Sequence, residues 1–312
     1  MPAYNRETMV AGAIRSIQNQ TFHDWELIIL DDASTDKTMD VCRGFEAEDK
    51  RIRVLANEQN LGVGETRNRL LTFASGKYIA IQDSDDTSVP ERLAYEIEVL
   101  ESKPDIGIVS GVTEWIDSDN GRNLWNYPVG LHRGEQYPQD MGQLVKLLYR
   151  GCEVANAACM FRYSLVDQFP NPYGKYRFVD DWYFFLNAAH RTLIWGIPRV
   201  LVKMTRGKNH KHLAQGFAGS KEAQQLSRDV YRYYKDDPQS PINYRLYRKS
   251  ISTLLTSKGR YLGGWKGFLH LFRAVLWDPY NKHARESLQE FARVGFKEKN
   301  VSRDDYSKWF QA

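Results

Sequence analysis

Along the first hundred residues, short continuous apolar runs alternate with segments whose apolar positions recur every three or four residues. Trp25–Leu30, Arg51–Ala56, Lys77–Ile81 and Ile106–Ser110 have the length and filling of strands buried on both faces. Between them, Arg6–Asn19 sets Met9, Ala13, Ile14 and Ile17 on one helical face. A second helix is expected from a cap at Ser34 through Val41 and Phe45, a third over Gly64–Phe73 and a fourth over Pro90–Leu100. Strands spaced by helices in this way predict an α/β fold with a mainly parallel central sheet. The stretch 114–149 is polar and carries Gly121, Pro128, Gly130 and Pro138, which reads as a loop-rich region on the acceptor side. Beyond it, Asp180 and Asp181 open an aromatic helix, and from about Gln239 the pattern is helical with basic faces.

The candidate chemistry lies at the strand ends. Tyr78-Ile-Ala-Ile-Gln-Asp-Ser-Asp-Asp86 passes from an apolar run into Asp83, Asp85 and Asp86. Carboxylates are not left in a core without partners, because desolvating them costs too much. Asp83 and Asp85 form a D-x-D that suits a hard cation such as Mg²⁺ or Mn²⁺, which binds oxygen and keeps positions open for phosphates. Asp31 and Asp32 end an earlier strand. In parallel sheets ligands bind outside the carboxyl ends of the strands, so both acidic ends fall on one rim. The same acids also suit plain helix capping.

The order of these motifs resembles the family 2 glycosyltransferases, inverting enzymes of the GT-A fold that use nucleotide-sugar donors. The resemblance runs over about residues 1–205. It is carried by Met1-Pro-Ala-Tyr-Asn-Arg6, by Ser16–Phe22 with Trp25–Asp36, by Asn60–Asn68, by Gln82–Asp86 and by Asp180-Asp181-Trp182. It implies a donor site made by Pro2, Ala3 and Tyr4 beside the base, with Asp32 accepting from a base N–H of the kind uracil offers. Arg67 would face base or phosphates. Asp83 and Ser84 would hold the ribose side, and Asp85 with Asp83 the metal. A late histidine, His210 or His212, would join the metal or the diphosphate, and Asp181 or Asp180 would be the general base. It further implies a donor of the UDP-sugar type, a glycan or lipid-linked acceptor, and a GT-A domain over 1–205 with a helical extension over 206–312. The family has a strand before the first motif, so the first strand is expected to be cut short here.

Composition narrows the alternatives. A 42% hydrophobic and 26% charged chain of 312 residues is of globular type. Cys42, Cys152 and Cys159 are odd in number and widely spaced, which points to a reducing cytosol and against a structural zinc site. No run is long and apolar enough to span a membrane. No glycine- and lysine-rich phosphate loop stands near the N-terminus, which disfavours a nucleotidyltransferase. A non-catalytic nucleotide-sugar binder stays open. From Gln239 to Trp277 there is no Asp or Glu, while Arg245, Arg248, Lys249, Lys258, Arg260, Lys266 and Arg273 accompany Leu262, Trp265, Phe268, Leu269, Phe272, Val275 and Leu276. This segment reads equally as packing against the chain or a second copy in a homodimer, or as a peripheral contact with anionic lipid at the inner face of the cell membrane. Nucleic acid is not expected as a partner, since the acidic strand ends would repel its phosphates.

Overall fold

The structure is a computed structural model describing residues 1–168, 171–206, 217–262 and 264–294. His210 and His212 lie outside the described residues. In chain order the elements are β1 (Pro2–Ala3), α1 (Val10–Gln18), β2 (Leu27–Asp31), α2 (Thr38–Glu48), β3 (Ile52–Ala56), α3 (Val63–Leu71), β4 (Tyr78–Ala80) and β5 (Asp86–Ser88). They continue as α4 (Arg92–Ser102), β6 (Ile106–Asp117), β7 (Asn123–Tyr127), α5 (Val129–His132), α6 (Met141–Arg150), β8 (Cys159–Arg162), α7 (Asp180–Ala188) and β9 (Leu193–Arg206). Four helices follow: α8 (Phe217–Tyr234), α9 (Tyr244–Leu262), α10 (Gly264–Trp277) and α11 (Lys282–Val294).

The chain divides into two units, each with its own interior: residues 1–141 with 153–211, and residues 142–152 with 212–312. In the first unit β1, β2 and β3 run parallel, with Ala3 opposite Asp31 and Asp31 opposite Ala56. All five residues of β2 are buried, as a continuous apolar run requires. On α1 the buried positions are Val10, Ala13, Ile14 and Ile17, the i, i+3, i+4, i+7 stripe of a helix packed by one face. They meet Leu27, Ile29, Ile52 and Val54 in one core. Strand β1 is two residues long, and the Met1 amine donates to Ile28 O at 2.8 Å.

The mainly parallel sheet is divided. A second hydrogen-bonded group has the order β4-β8-β6-β9-β5, with β7 attached to β6. Among the described residues only β6 and β9 run parallel within it. The region expected to be loop-rich holds the end of β6, the β7 hairpin, α5 and α6; Trp115 and Trp125 stack across the hairpin with ring centroids 5.1 Å apart. Two helix starts also differ from expectation. Ser34 does not cap α2: its hydroxyl accepts from Asn5 N, and the Thr38 amide is taken by Asp36 Oδ1 at 2.9 Å. Residues 86–88 form a strand before α4, which begins at Arg92. Most of α6 groups with the C-terminal helices, where the buried Tyr149 donates its hydroxyl to Ser227 O at 2.6 Å. No helix among the described residues is long and apolar enough to cross a membrane.

Candidate active site

The acidic rim begins where β1 and β2 end. Ala3 O accepts from Asp32 N at 2.8 Å, Asn5 Oδ1 accepts from Thr35 N at 2.9 Å, and Arg6 N donates to Thr38 Oγ1 at 2.7 Å, so the two strand-end loops are tied together. Ala33 sits at φ 59°, a left-handed conformation that costs a non-glycine residue about 1–2 kcal/mol. Asp32 is buried, and its carboxylate accepts from Asn57 Nδ2 (2.7 Å), Leu61 N (2.8 Å) and Gly62 N (2.9 Å). Three donors on about four lone-pair sites leave one acceptor position. Asp32 therefore also shapes the 57–62 loop, a role its sequence context does not suggest. Asp31 accepts from Ser34 N, and its Oδ1 is buried with no donor among the described residues. Ala3 is buried, whereas Tyr4 is 40% exposed beside these loops. Pro2 is held in β1.

The second acidic end is framed by a buried arginine the sequence reading did not single out. Arg92 is fully buried on α4 and donates to Ile81 O (2.7 Å), Cys159 O (3.2 Å), Ser88 Oγ (3.0 Å) and Glu96 (3.2 Å). Gln82 closes the turn, donating to Asp83 O and Asp86 O while accepting from Ser88. This network fixes the backbone of Gln82-Asp-Ser-Asp-Asp86, a turn in which Ser84 is buried. The signal was present in the i, i+4 pair Arg92 and Glu96, which looks on paper like an ordinary surface pair.

Arginines hold both acids of the D-x-D. Arg67 Nη2 donates to Asp83 Oδ1 at 2.7 Å and Nη1 to Asp180 Oδ2 at 2.5 Å; Arg6 Nε donates to Asp85 Oδ2 at 3.1 Å. Burial alone would lower the pKa of the Arg67 guanidinium. The charges of Asp83 and then Asp180 overcome this and raise it, so the group stays cationic. Its Nε is buried without an acceptor among the described residues, and its guanidinium lies 5.5 Å from the centre of the Tyr173 ring. Tyr173 stacks in turn on Phe184 of α7. The structure thus gathers Arg67, Asp83, Asp180 and Asp181, which the sequence spreads over more than a hundred positions.

Asp180 and Asp181 stand at the first turn of α7 and differ in their surroundings. Asp180 is buried and tied to Arg67. Asp181 is partly exposed; one oxygen accepts from Trp182 N at 2.7 Å, and the other has no hydrogen bond among the described residues. Desolvation, then the neighbouring charge of Asp180, raise its pKa to about 7. A carboxylate with a free oxygen and that pKa is equipped to take a proton near neutral pH.

For a divalent cation the donor chemistry fits. Asp83, Asp85 and Asp86 offer hard oxygens. Asp86 is buried with neither carboxylate oxygen bonded among the described residues, and desolvation, then Asp85 and Asp83, push its pKa well up. Among the described residues no three His, Cys, Asp or Glu side chains are grouped tightly enough to hold an ion.

Comparison with known proteins agrees with this geometry. The family model described as glycosyl transferase family 2 matches residues 1–169, ending before α7. An uncharacterized glycosyltransferase of Methanocaldococcus jannaschii is 38% identical over 126 residues, covering 40% of this chain and 43% of that protein. The Escherichia coli UDP-Glc:alpha-D-GlcNAc-diphosphoundecaprenol beta-1,3-glucosyltransferase WfgD is 37% identical over 120 residues, covering 38% and 46%. The matches thus span less than half the length of these relatives. Among solved structures, S. aureus TarS 1-349 with UDP-GlcNAc superposes with a TM-score of 0.64 at 15% identity, over 97% of this chain and 93% of that one. The mannosyltransferase PcManGT of Pyrobaculum calidifontis with GDP-Man and Mn²⁺ gives 0.55 at 16%, over 94% and 83%. These likenesses establish the GT-A fold. With the family model covering more than half of the sequence, this chain belongs to glycosyl transferase family 2.

Proposed function

We propose that this chain moves a sugar from a nucleotide-sugar donor, of the UDP-sugar type, to a hydroxyl of a glycan or lipid-linked acceptor, with inversion at the anomeric carbon. The observation that carries the reading is Asp181: a carboxylate at a helix start, with one free oxygen and a pKa near 7, on the same acidic rim as the D-x-D. The relatives support it by what they handle: WfgD by its name uses UDP-Glc and a diphosphoundecaprenol-linked sugar, and TarS and PcManGT were solved with nucleotide-sugars.

In this reading Tyr4 stacks on the base beside Pro2 and Ala3, and Asp32 offers its remaining acceptor position to a base N–H. Asp83 and Ser84 face the ribose side. Asp85 with Asp83 would hold Mg²⁺ or Mn²⁺, which supplies a Lewis acid to neutralise the departing diphosphate. Asp181 takes the acceptor proton as that oxygen attacks the anomeric carbon from the side opposite the diphosphate. The new C–O bond forms as the bond to the phosphate oxygen breaks, so one base and one displacement suffice. Arg67 fixes Asp180, which leaves Asp181 as the proton acceptor. A second reading, a nucleotide-sugar binder without turnover, draws support from the arginine pairs that tie Asp83 and Asp85.

Calorimetry of UDP with and without Mn²⁺ addresses the metal. Binding should depend on the ion and be lost in Asp85→Ala while the fold persists. Unchanged affinity in that variant would refute the metal assignment. A transfer assay across nucleotide-sugars separates the enzyme from the binder.

A further inference from the structure

Helix α10 carries apolar residues on two opposite sides. Leu271 and Ala274 are fully buried within the C-terminal unit, and α10 is fastened to α9 by Ser252 Oγ donating to Ala274 O (2.8 Å) and Arg248 Nε to Trp277 O (2.6 Å). At 3.6 residues per turn, Leu269 and Leu276 lie roughly 170° and Phe272 roughly 130° around the helix from that face. They are 40%, 46% and 62% exposed. A helix at the surface of a globular unit normally turns polar residues outward; this one turns outward a leucine, a phenylalanine and a second leucine. Lys266 and Arg273, both exposed, border the stripe along one edge. Just past the helix end, Tyr280 is 86% exposed.

Along α9 and α10 the charge has one sign. No Asp or Glu occurs between Gln239 and Trp277. The cations crowd one another: besides burial, Lys221 and Arg273 hold the Lys258 pKa down, and Lys258 and Arg273 do the same to His270. That excess discriminates between occupants. A two-fold contact with a second copy sets the same patch against itself, which brings Lys266 and Arg273 toward their own counterparts with no acid on α9 or α10 to offset them. An anionic bilayer offers apolar depth for the stripe and negative charge for its border.

We propose that the outward face of α10 docks the protein on an anionic lipid surface, with Leu269, Phe272 and Leu276 entering the headgroup–acyl boundary and Lys266 and Arg273 meeting lipid phosphate. Docking here gives access to acceptors carried on lipid, so it deepens the proposed function. It is a property of α10 and not of the acidic rim.

The test is co-sedimentation of the full chain with vesicles of phosphatidylcholine alone and of phosphatidylcholine mixed with phosphatidylglycerol. Wild type should pellet with the mixed vesicles only and be released by salt, since the Debye length falls to about 3 Å at 1 M. The pair Lys266→Gln and Arg273→Gln should weaken binding by roughly 30-fold, from about 1 kcal/mol per cation. The pair Leu269→Ser and Phe272→Ser should abolish it. Both pairs alter exposed positions, so circular dichroism should be unchanged. The proposal is overturned by equal pelleting on both vesicle types, by no pelleting on either, or by a wild-type dimer in ultracentrifugation that the serine pair turns into monomer. Asp181→Asn should still pellet, so failure of the catalytic reading and failure of the docking surface are told apart.

Discussion

Asp180 and Asp181 are the same residue type, adjacent in sequence, and their surroundings give them different work. Arg67 satisfies the first and leaves the second with an open oxygen and a pKa of about 7. A base must be deprotonated to act, so the rate of transfer should rise with pH and level off above about 7. The effect on folding has the opposite sign. The unfolded carboxyl releases its proton near 3.8, whereas the folded one keeps it to about 7. Between those values the native state binds more protons, and stability should fall as pH rises. Denaturant midpoints for wild type and Asp181→Asn across that range check this: the variant should show a shallower fall, and equal slopes would contradict the assignment. The sequence displayed the acidic pair but could not choose within it, because the deciding guanidinium lies 113 residues away.

At the scale of elements, α3 and the segment leading into α7 approach closely because position 64 is glycine. A Cβ there would stand 2.7 Å from Tyr176 O and 3.1 Å from Asp180 Cβ. Gly→Ala inside a helix ordinarily stabilises by up to about 1 kcal/mol. Here overpacking reverses the sign, and Gly64→Ala should destabilise by about 1–3 kcal/mol and lower kcat as Asp180 and Asp181 shift. A more stable variant with wild-type turnover would show that the approach does not matter. The legibility of elements followed the range of the forces that make them. The stripe of α1 and the all-buried β2 were plain from local period. The pairing of β4 with β8 and of β6 with β9 was not, since those partners lie far apart in sequence. The start of α2 was misplaced because Ser34 serves Asn5, across the sheet end, and not its own helix. Arg92 and Glu96 pass for surface residues until the fold buries them, where removing one partner of such a pair costs about 3–5 kcal/mol.

For the whole molecule, the family match ends at residue 169, while the proposed base stands at 181 in a helix the match does not reach. Motif order pointed to acids at the end of β2 and in the turn between β4 and β5. Folding the chain added the cations that organise it, Arg6, Arg67 and Arg92, and the outward stripe of α10. Sequence reading saw that stripe only as mixed spacing, because burial decides which of two apolar faces is left over. One comparison tests the proposed turnover most directly: single-turnover transfer by Asp181→Asn, with donor affinity measured on the same preparation. The substitution keeps the side chain's size and removes the proton acceptor, so the rate should fall by about 10²–10⁴-fold with donor affinity nearly unchanged. Near-normal transfer by Asp181→Asn, alongside a loss of that size in Asp180→Asn, would contradict the account.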